Sequence, residues 1–259
     1  MKKEFPILEF DSSREVKIDS RKIIAPIPNM PERCVLCFFA EAVEKLTQRY
    51  PSETVSQFTV AGGGICAKIH KVDFDGAQIC LTPALVGGPL AAAQIDEISA
   101  MGCRKFLAIG SAGVLDKEIS RGKLILPISA LRDEGTSYHY AAPSRWIDAD
   151  KRAVEAIEDY LTENEIPFAK GKTWTTDAFY RETNGLFASR KAEGCISVEM
   201  ECASYLAAAR YNGALFGQIF YGGDCLDGPE WDKREWTDYS REDRRYWMLE
   251  QAMKIVQRL

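Results

Sequence analysis

Three acidic side chains stand where an apolar stretch gives way to a turn or a helix. Glu199 and Glu201 flank Met200, and Asp224 follows two glycines at the end of a hydrophobic run. A carboxylate can accept two hydroxyl protons at once, which suits the vicinal diol of a sugar, and partial desolvation could raise the pKa of Asp224 enough for general-acid chemistry. Two structural roles stay open: Glu201 could interact with a helix N-terminus, and Asp224 could cap a turn.

Two other segments carry groups that could contact a ligand. Residues 106–113 form an apolar run that ends in Gly-Ser-Ala-Gly, where small residues let the backbone approach a ligand and Ser111 offers a hydroxyl and an N–H. Phe179 and Tyr180 follow a polar turn and could stack on a flat heterocycle. Each segment alone is also compatible with a tight turn or with core packing.

The cysteines do not follow a zinc-binding pattern. Among the eight cysteines, Cys34 and Cys37 form a CxxC pair with no second pair, and the chain has two histidines. A four-ligand zinc site would therefore need scattered partners. We expect no metal site, and we expect Cys34 and Cys37 to be core thiols on the first turns of a helix.

Composition excludes several classes of protein. The 259 residues are 46% hydrophobic and 27% charged, enough to bury a core without disulfides or metal. With 33 Lys and Arg against 38 Asp and Glu, the net charge of −5 argues against nucleic-acid binding. Residues 76–95 are uncharged but contain Pro83 and Pro89, which favours a turn over a membrane span. The charged N-terminus lacks a signal-peptide pattern, so we expect a cytoplasmic protein.

Strand and helix patterns alternate along a single predicted domain, 1–259, whose residues 1–20 form an irregular arm. The patterns predict an α/β sheet covered by helices, with ligand-binding turns at the carboxyl edge. Strands are predicted at 23–27, 54–60, 65–72, 78–82, 105–109, 123–128, 171–176, 195–198 and 214–221, and helices at 34–49, 90–101, 149–164, 201–211 and 236–259.

The order of these segments resembles the nucleoside phosphorylase-I family, which includes purine nucleoside and uridine phosphorylases and nucleosidases. The resemblance rests on Gly-Gly-Pro at 87–89, Gly-Ser-Ala-Gly at 110–113, Thr-Asp-Ala-Phe-Tyr at 176–180, Val-Glu-Met-Glu at 198–201 and Gly-Asp at 223–224. It runs from about residue 23 to residue 224. It implies a three-layer α/β/α sandwich around a twisted mixed sheet, and a homo-oligomer, either dimer or hexamer.

The resemblance also implies roles for the residues singled out above. Glu201 would bind the ribose 2′- and 3′-hydroxyls, with Met200 packed under the sugar and Glu199 supporting the pocket. The base would meet Phe179, Tyr180 and Asp224, the last of which would protonate a leaving purine. The uridine signature of Gln-x-Arg after the aromatic pair is absent, so a purine is favoured.

The phosphate-binding pattern of the family is incomplete. The family's Gly-Asp-Pro-x-Arg aligns with residues 29–33, which keep Arg33 but lose the glycine, and a second family arginine is replaced by Ala108. Arg33 and Ser111 are the phosphate-binding residues that remain. Phosphate is best held by charge-assisted donors, and nucleosidase members that lack the second arginine use water.

These implications predict a pentosyltransferase. It would be a nucleoside phosphorylase that acts on a purine or uridine nucleoside with inorganic phosphate, without metal or organic cofactor. Two alternatives stay open: a phosphate-independent nucleosidase, and a nucleoside-binding homologue without catalysis. His139 could approach a ribose 5′-hydroxyl or lie in a surface loop, and residues 227–243 could form a lid or an interface segment.

Overall fold

The computed structural model describes residues 2–59, 64–119, 122–234 and 242–259. In these ranges the chain alternates strands and helices. The strands are β1 (Arg33–Cys37), β2 (Ser52–Thr59), β3 (Ile65–Phe74), β4 (Ala77–Pro83), β5 (Lys105–Val114), β6 (Leu124–Asp133), β7 (Trp146–Asp148), β8 (Phe168–Thr176), β9 (Cys195–Glu199) and β10 (Leu215–Cys225). The helices are α1 (Ser20–Ile23), α2 (Ala40–Arg49), α3 (Gly88–Met101), α4 (Ser137–Tyr140), α5 (Lys151–Glu163), α6 (Asn184–Ala192), α7 (Cys202–Tyr211) and α8 (Glu242–Ile255).

The described strands form one mixed sheet that closes on itself at one end. Their spatial order is β10-β6-β8-β9-β5-β1-β4-β3-β2, and β7 pairs with β6. Because β10 also pairs with β5, strands β5, β10, β6, β8 and β9 form a closed ring. Strands β2 and β3 extend the sheet in antiparallel fashion, as the short consecutive strand patterns indicate.

Helices cover both faces of the sheet. One face packs against α3 and α7, with Ile95 and Ala207 in its core, and the other packs against α2, α5 and α8, with Leu46, Ile157 and Met253 in its core. Apolar side chains recur at helical spacing on α5, where Asp150 caps the first turn by accepting from the N–H of Arg152. The predicted three-layer α/β/α class is confirmed. In the described ranges, no helix combines the length and apolarity needed to cross a bilayer.

Residues 33–37 correct one of the predicted helices. They form β1, a strand in parallel pairing with both β4 and β5, and the helix begins only at Ala40. The apolar run Cys-Val-Leu-Cys is buried on both faces, which produces the continuous hydrophobicity of an interior parallel strand. The strand predicted at 23–27 is also wrong: α1 ends at Ile23 and residues 24–27 join no strand of the sheet, although Ile27 donates its backbone N–H to the carbonyl of Met101.

Two predicted turns belong to strands. Gly-Ser-Ala-Gly at 110–113 lies inside β5, which continues to Val114, and Gly-Gly-Asp at 222–224 lies inside β10. The pairing register of β10 against β5 shifts between Gly222 and Asp224, so β10 contains a bulge there. A bulge bends a strand and re-aims the side chains that follow it. These two irregular strand ends lie side by side at the carboxyl edge of the sheet.

The cysteines of the CxxC pair lie on opposite faces of β1. Cys34 belongs to the core beneath α3 and α7, and Cys37 to the core beneath α2, α5 and α8. The three-residue spacing explains this, because successive strand side chains alternate between faces. The Sγ atoms of Cys34, Cys80 and Cys103 lie within 4.8 Å of one another, all buried.

Burial of the thiols gives a first testable prediction. The side chain of Cys66 is outside the described part of the chain, and the seven other cysteines are all buried and free. In a Cys66→Ser variant, we expect an aromatic disulfide reagent to modify the seven thiols only as fast as the protein unfolds, because the reagent cannot enter a packed core. The measurement is the rate of reagent absorbance change, with and without denaturant. Rapid modification under native conditions would contradict the packing described here.

Candidate active site

A cavity of about 650 Å³ opens at the carboxyl ends of β5, β9 and β10. This volume is within the range of small-molecule sites. Six of the residues singled out from the sequence line it: Ser111, Phe179, Tyr180, Glu199, Met200 and Asp224. Its wall also includes Val86, Glu182, Phe187, Leu226 and the loop residues 228–231. The cavity therefore has a polar floor and an aromatic wall.

Gly113 on β5 brings two of these strand ends together. It pairs with Val198 of β9 on one side and with Asp224 of β10 on the other. The backbones of Val198 and Asp224 are therefore two inter-strand spacings apart, about 10 Å. A Cβ at Gly113 would lie 2.9 Å from Val198 Cγ1, 2.8 Å from Leu226 Cδ1 and 3.4 Å from Asp224 Oδ1. A glycine is thus required for the two strand ends to converge.

Glu199 interacts with the helix that follows it. Its Oε2 accepts the backbone N–H groups of Glu201 at 2.8 Å and Cys202 at 2.6 Å, and its Oε1 accepts the hydroxyl of Thr175 at 2.6 Å. The carboxylate therefore satisfies two of the free N–H groups at the N-terminus of α7. The structural role considered for Glu201 in the sequence is performed by Glu199. Burial outweighs these hydrogen bonds and raises the pKa of Glu199 to about 7.

Glu201 lies just beyond Met200, at the residue that precedes α7, and unlike Glu199 and Met200 it is not among the residues that line the cavity. It is 6% exposed, and its Oε1 accepts the N–H of Gly87 at 2.6 Å. The backbone N–H of Met200 also interacts with this carboxyl and, like that of Gly87, favours its ionised form. Burial first, and then the negative charge of Glu199, raise the pKa of Glu201 to about 8. A donor such as a sugar hydroxyl would stabilise its ionised form.

Asp224 has one oxygen held by the loop that follows β10. Trp231 donates its indole N–H to Oδ2 at 2.7 Å, and Oδ1 lies over Gly113. Burial raises the pKa of Asp224, against the lowering effects of the Trp231 hydrogen bond and the nearby charge of Arg234. Arg234 itself donates to the backbone carbonyl of Ile119. Asp224 is thus a partly desolvated acid with its position fixed.

The aromatic pair lies on a short 3₁₀ turn, Phe179–Arg181, at the cavity mouth. The ring centroids of Phe179 and Tyr180 are 4.1 Å apart, and the side chains are 40% and 83% exposed. Exposed rings of this size beside a cavity offer a flat surface to a heterocycle. Ser111 lies next to Gly223, whose missing side chain leaves the hydroxyl accessible, because a Cβ there would lie 3.1 Å from that of Ser111.

Arg33 does not lie with the other candidate residues. It begins β1, opposite Lys105 at the start of β5, whereas Ser111 is six positions further along β5. At about 3.3 Å per residue the two lie roughly 20 Å apart, at opposite edges of the sheet. Within one chain they cannot hold the same phosphate. The segment that follows β1 at the site edge instead presents Phe38, whose ring approaches Gly110.

The remaining candidates fall elsewhere. His139 is exposed on α4 and lines a separate hollow of about 960 Å³ between the N-terminal arm and α3, α4 and α7. Of the segment 227–243, residues 235–241 lie outside the described part, while 228–231 line the cavity. Glu182 and Trp231 line it without having been singled out. The position of Glu182 two residues after the aromatic pair was a usable signal for the first, and Trp231 lies within the segment 227–243 that the sequence marks as a lid or an interface segment.

The two raised pKa values predict how stability depends on pH. Because the pKa of Glu199 (about 7) and that of Glu201 (about 8) exceed the ordinary 4.5, the folded state retains protons that the unfolded chain releases. The free energy of unfolding should therefore fall as pH rises from 6 to 8.5, by about 4 kcal/mol from these two groups together. Urea denaturation at several pH values measures this.

Two variants provide the controls. Glu201→Gln removes one ionisable group and should flatten the pH profile. Glu193→Gln should leave the slope unchanged, since its ion pair with Arg145 holds the pKa of Glu193 at about 2, outside this window. A profile that is flat in the original protein would contradict the burial of both carboxyls.

Comparison with known proteins shows the family of the chain. The family model of the phosphorylase superfamily matches residues 32–259. A guanosine phosphorylase from Halorubrum lacusprofundi is 28% identical over 152 residues, 59% of this chain and 63% of that protein. A uridine phosphorylase from Thermococcus kodakarensis is 32% identical over 166 residues, 59% of this chain and 60% of that protein. These matches span about six-tenths of each relative's length.

Solved structures share the fold at low identity. A uridine phosphorylase from Vibrio fischeri superposes with a TM-score of 0.72 at 18% identity, over 91% of this chain and 94% of that chain. An AMP nucleosidase from Bacteroides thetaiotaomicron superposes with a TM-score of 0.69 at 17% identity, over 88% and 89%. The match over 32–259 shows that the chain belongs to the phosphorylase superfamily.

Proposed function

We propose that this protein cleaves the N-glycosidic bond of a nucleoside in the cavity at the ends of β5, β9 and β10. The observation that carries the proposal is the convergence of Asp224 with Glu199, Met200 and Phe179 on one cavity of about 650 Å³. Membership of the phosphorylase superfamily and the names of the guanosine and uridine phosphorylase relatives support it.

Each group has a distinct part in the proposed reaction. The ribose hydroxyls donate to Glu201, whose ionised form they stabilise, and Met200 packs beneath the sugar. Phe179 stacks on the base while Asp224 gives a proton or a hydrogen bond to it, which neutralises the charge that develops as the bond breaks. The raised pKa of Asp224 favours the protonated form that this step needs.

Water, rather than phosphate, is the nucleophile that the cavity wall favours. The described residues that line it include Glu182, Glu199, Asp224 and Glu230 but no Lys, Arg or His. A phosphate dianion needs charge-assisted donors, and an acidic lining repels it. Ser111 can hold a neutral water through its hydroxyl and N–H.

Phosphorolysis is the second candidate, because the relatives at 28% and 32% identity are phosphorylases by name. It would make the protein a pentosyltransferase that uses inorganic phosphate and no other cofactor. It requires cations from outside the described lining, such as those of a neighbouring copy in a homo-oligomer. One relative is named for guanosine and the other for uridine, so they also leave open whether the base is a purine or uracil.

Release of base with and without phosphate separates the two candidates. We expect guanosine, inosine, adenosine or uridine to release free base and free ribose at a rate that inorganic phosphate does not change. Chromatography of the products measures base, ribose and ribose 1-phosphate. A phosphate-dependent rate with ribose 1-phosphate as product would replace hydrolysis by phosphorolysis. Nucleoside binding without turnover under either condition would instead indicate a non-catalytic homologue.

Replacing Asp224 tests the proposed acid. Asp224→Asn should lower kcat by about 10²–10⁴-fold, because the amide cannot supply a proton. Asp227→Asn is the matched control on the same segment: its carboxylate pairs with Lys191 at 2.6 Å and does not line the cavity, so kcat should stay within about threefold of the original value. Equal activity of Asp224→Asn and the original protein would exclude Asp224 as the acid.

A further inference from the structure

Glu182 is a carboxylate in the cavity without a described partner. It follows the 3₁₀ turn Phe179–Arg181, is half-buried and lines the same wall as Phe179. Among the described residues, no hydrogen bond or ion pair engages its side chain. Carboxylates are seldom taken out of water without a partner. A ligand that brings donor groups into the cavity would give Glu182 a partner that the described residues do not provide.

Asp224 makes the position of Glu182 less favourable still. Burial first, and then the negative charge of Asp224, raise the pKa of Glu182 to about 7. The two carboxyl groups therefore lie close enough to repel each other when both are ionised. Asp224 has Trp231 as a donor, whereas Glu182 has none described. The described lining contains no cationic side chain that could neutralise Glu182. A ligand that complements Glu182 would therefore do so through N–H or O–H donors.

We propose that Glu182 determines which base the cavity accepts, by receiving two adjacent N–H donors from the edge of the ring that faces away from Asp224. This inference rests on the proposed function. A purine that directs its imidazole edge toward Asp224 has its six-membered ring left to meet Glu182. Guanine carries an N1–H and a 2-amino group side by side, which match the two oxygens of a carboxylate.

Other bases satisfy Glu182 less well. Hypoxanthine retains the N1–H but lacks the amino group. Adenine presents a ring nitrogen that repels a carboxylate beside its amino group, and the single N–H of uracil lies between two carbonyl oxygens. A hydrogen bond to a charged group contributes about 1.5–3 kcal/mol, and a site that requires a donor rejects analogues without it. The predicted order is therefore guanosine, then inosine, with adenosine and uridine last.

The test compares kcat/KM for these four nucleosides in three proteins. The original protein should prefer guanosine over inosine by about 10–100-fold, which is the value of one charged hydrogen bond. In Glu182→Gln, this ratio should fall to within about threefold of one, because the amide offers a donor where the carboxylate offered an acceptor. Glu193→Gln, outside the cavity lining, should keep the original ratio.

Failure of this inference can be told apart from failure of the proposed function. Calorimetric binding of free guanine and of hypoxanthine needs no turnover, and Glu182→Gln should remove the preference for guanine in that assay as well. An original protein that prefers adenosine or uridine, or a ratio that Glu182→Gln leaves unchanged, would overturn the role of Glu182. Guanine-selective binding without turnover of any nucleoside would uphold Glu182 and refute only the glycosidic cleavage. Equal thermal denaturation midpoints would show that each variant is folded.

Discussion

The site depends on the contact between the Glu199 carboxylate and the N-terminus of α7. This one side chain accepts two backbone N–H groups and a threonine hydroxyl, and so fixes the angle at which the chain leaves β9 and enters the helix. Met200 and Glu201 lie within that bend, and their directions follow from it. The contact also sets the electrostatics, because a second buried carboxyl two residues away must share the same poorly solvated region.

A site built this way is acidic before any ligand binds. Carboxyls held out of water favour their protonated forms, and ligand hydroxyls or N–H groups reverse that preference by donating to the ionised form. The cavity is therefore complementary to sugars and to bases that carry donors, and poorly complementary to free anions. That balance separates the recognition of a nucleoside from the recognition of phosphate, which needs positive charge. In this chain the two are not provided by the same described residues.

Much of this arrangement could be inferred from the sequence, for identifiable reasons. Small residues and acids that follow apolar strands must collect at one edge of a sheet, and Ser111, Met200 and Asp224 do so. The positions and pairing of the strands were harder to predict from the sequence. Arg33 stands at the opposite edge because residues 33–37 are a strand, and a buried run of four apolar residues has no periodicity that distinguishes strand from helix. The role of Glu199 at α7 could not be separated from that of Glu201 by spacing, since both lie at the same junction. The short elements α4 and β7 have too few residues to leave a pattern.

The closed ring of β5, β10, β6, β8 and β9 has a mechanical consequence for the cavity at its rim. Each of these strands pairs with two neighbours, over most of its length or, for β10 with β6 and β5 with β9, over two residue pairs, so none can move outward without breaking inter-strand hydrogen bonds. The floor on which a ligand rests is accordingly stiff, and passage in or out is left to the connecting segments around Val86, Phe179 and Trp231. Substitutions in those segments can then change which ligand fits, while the closed ring of strands beneath keeps its shape.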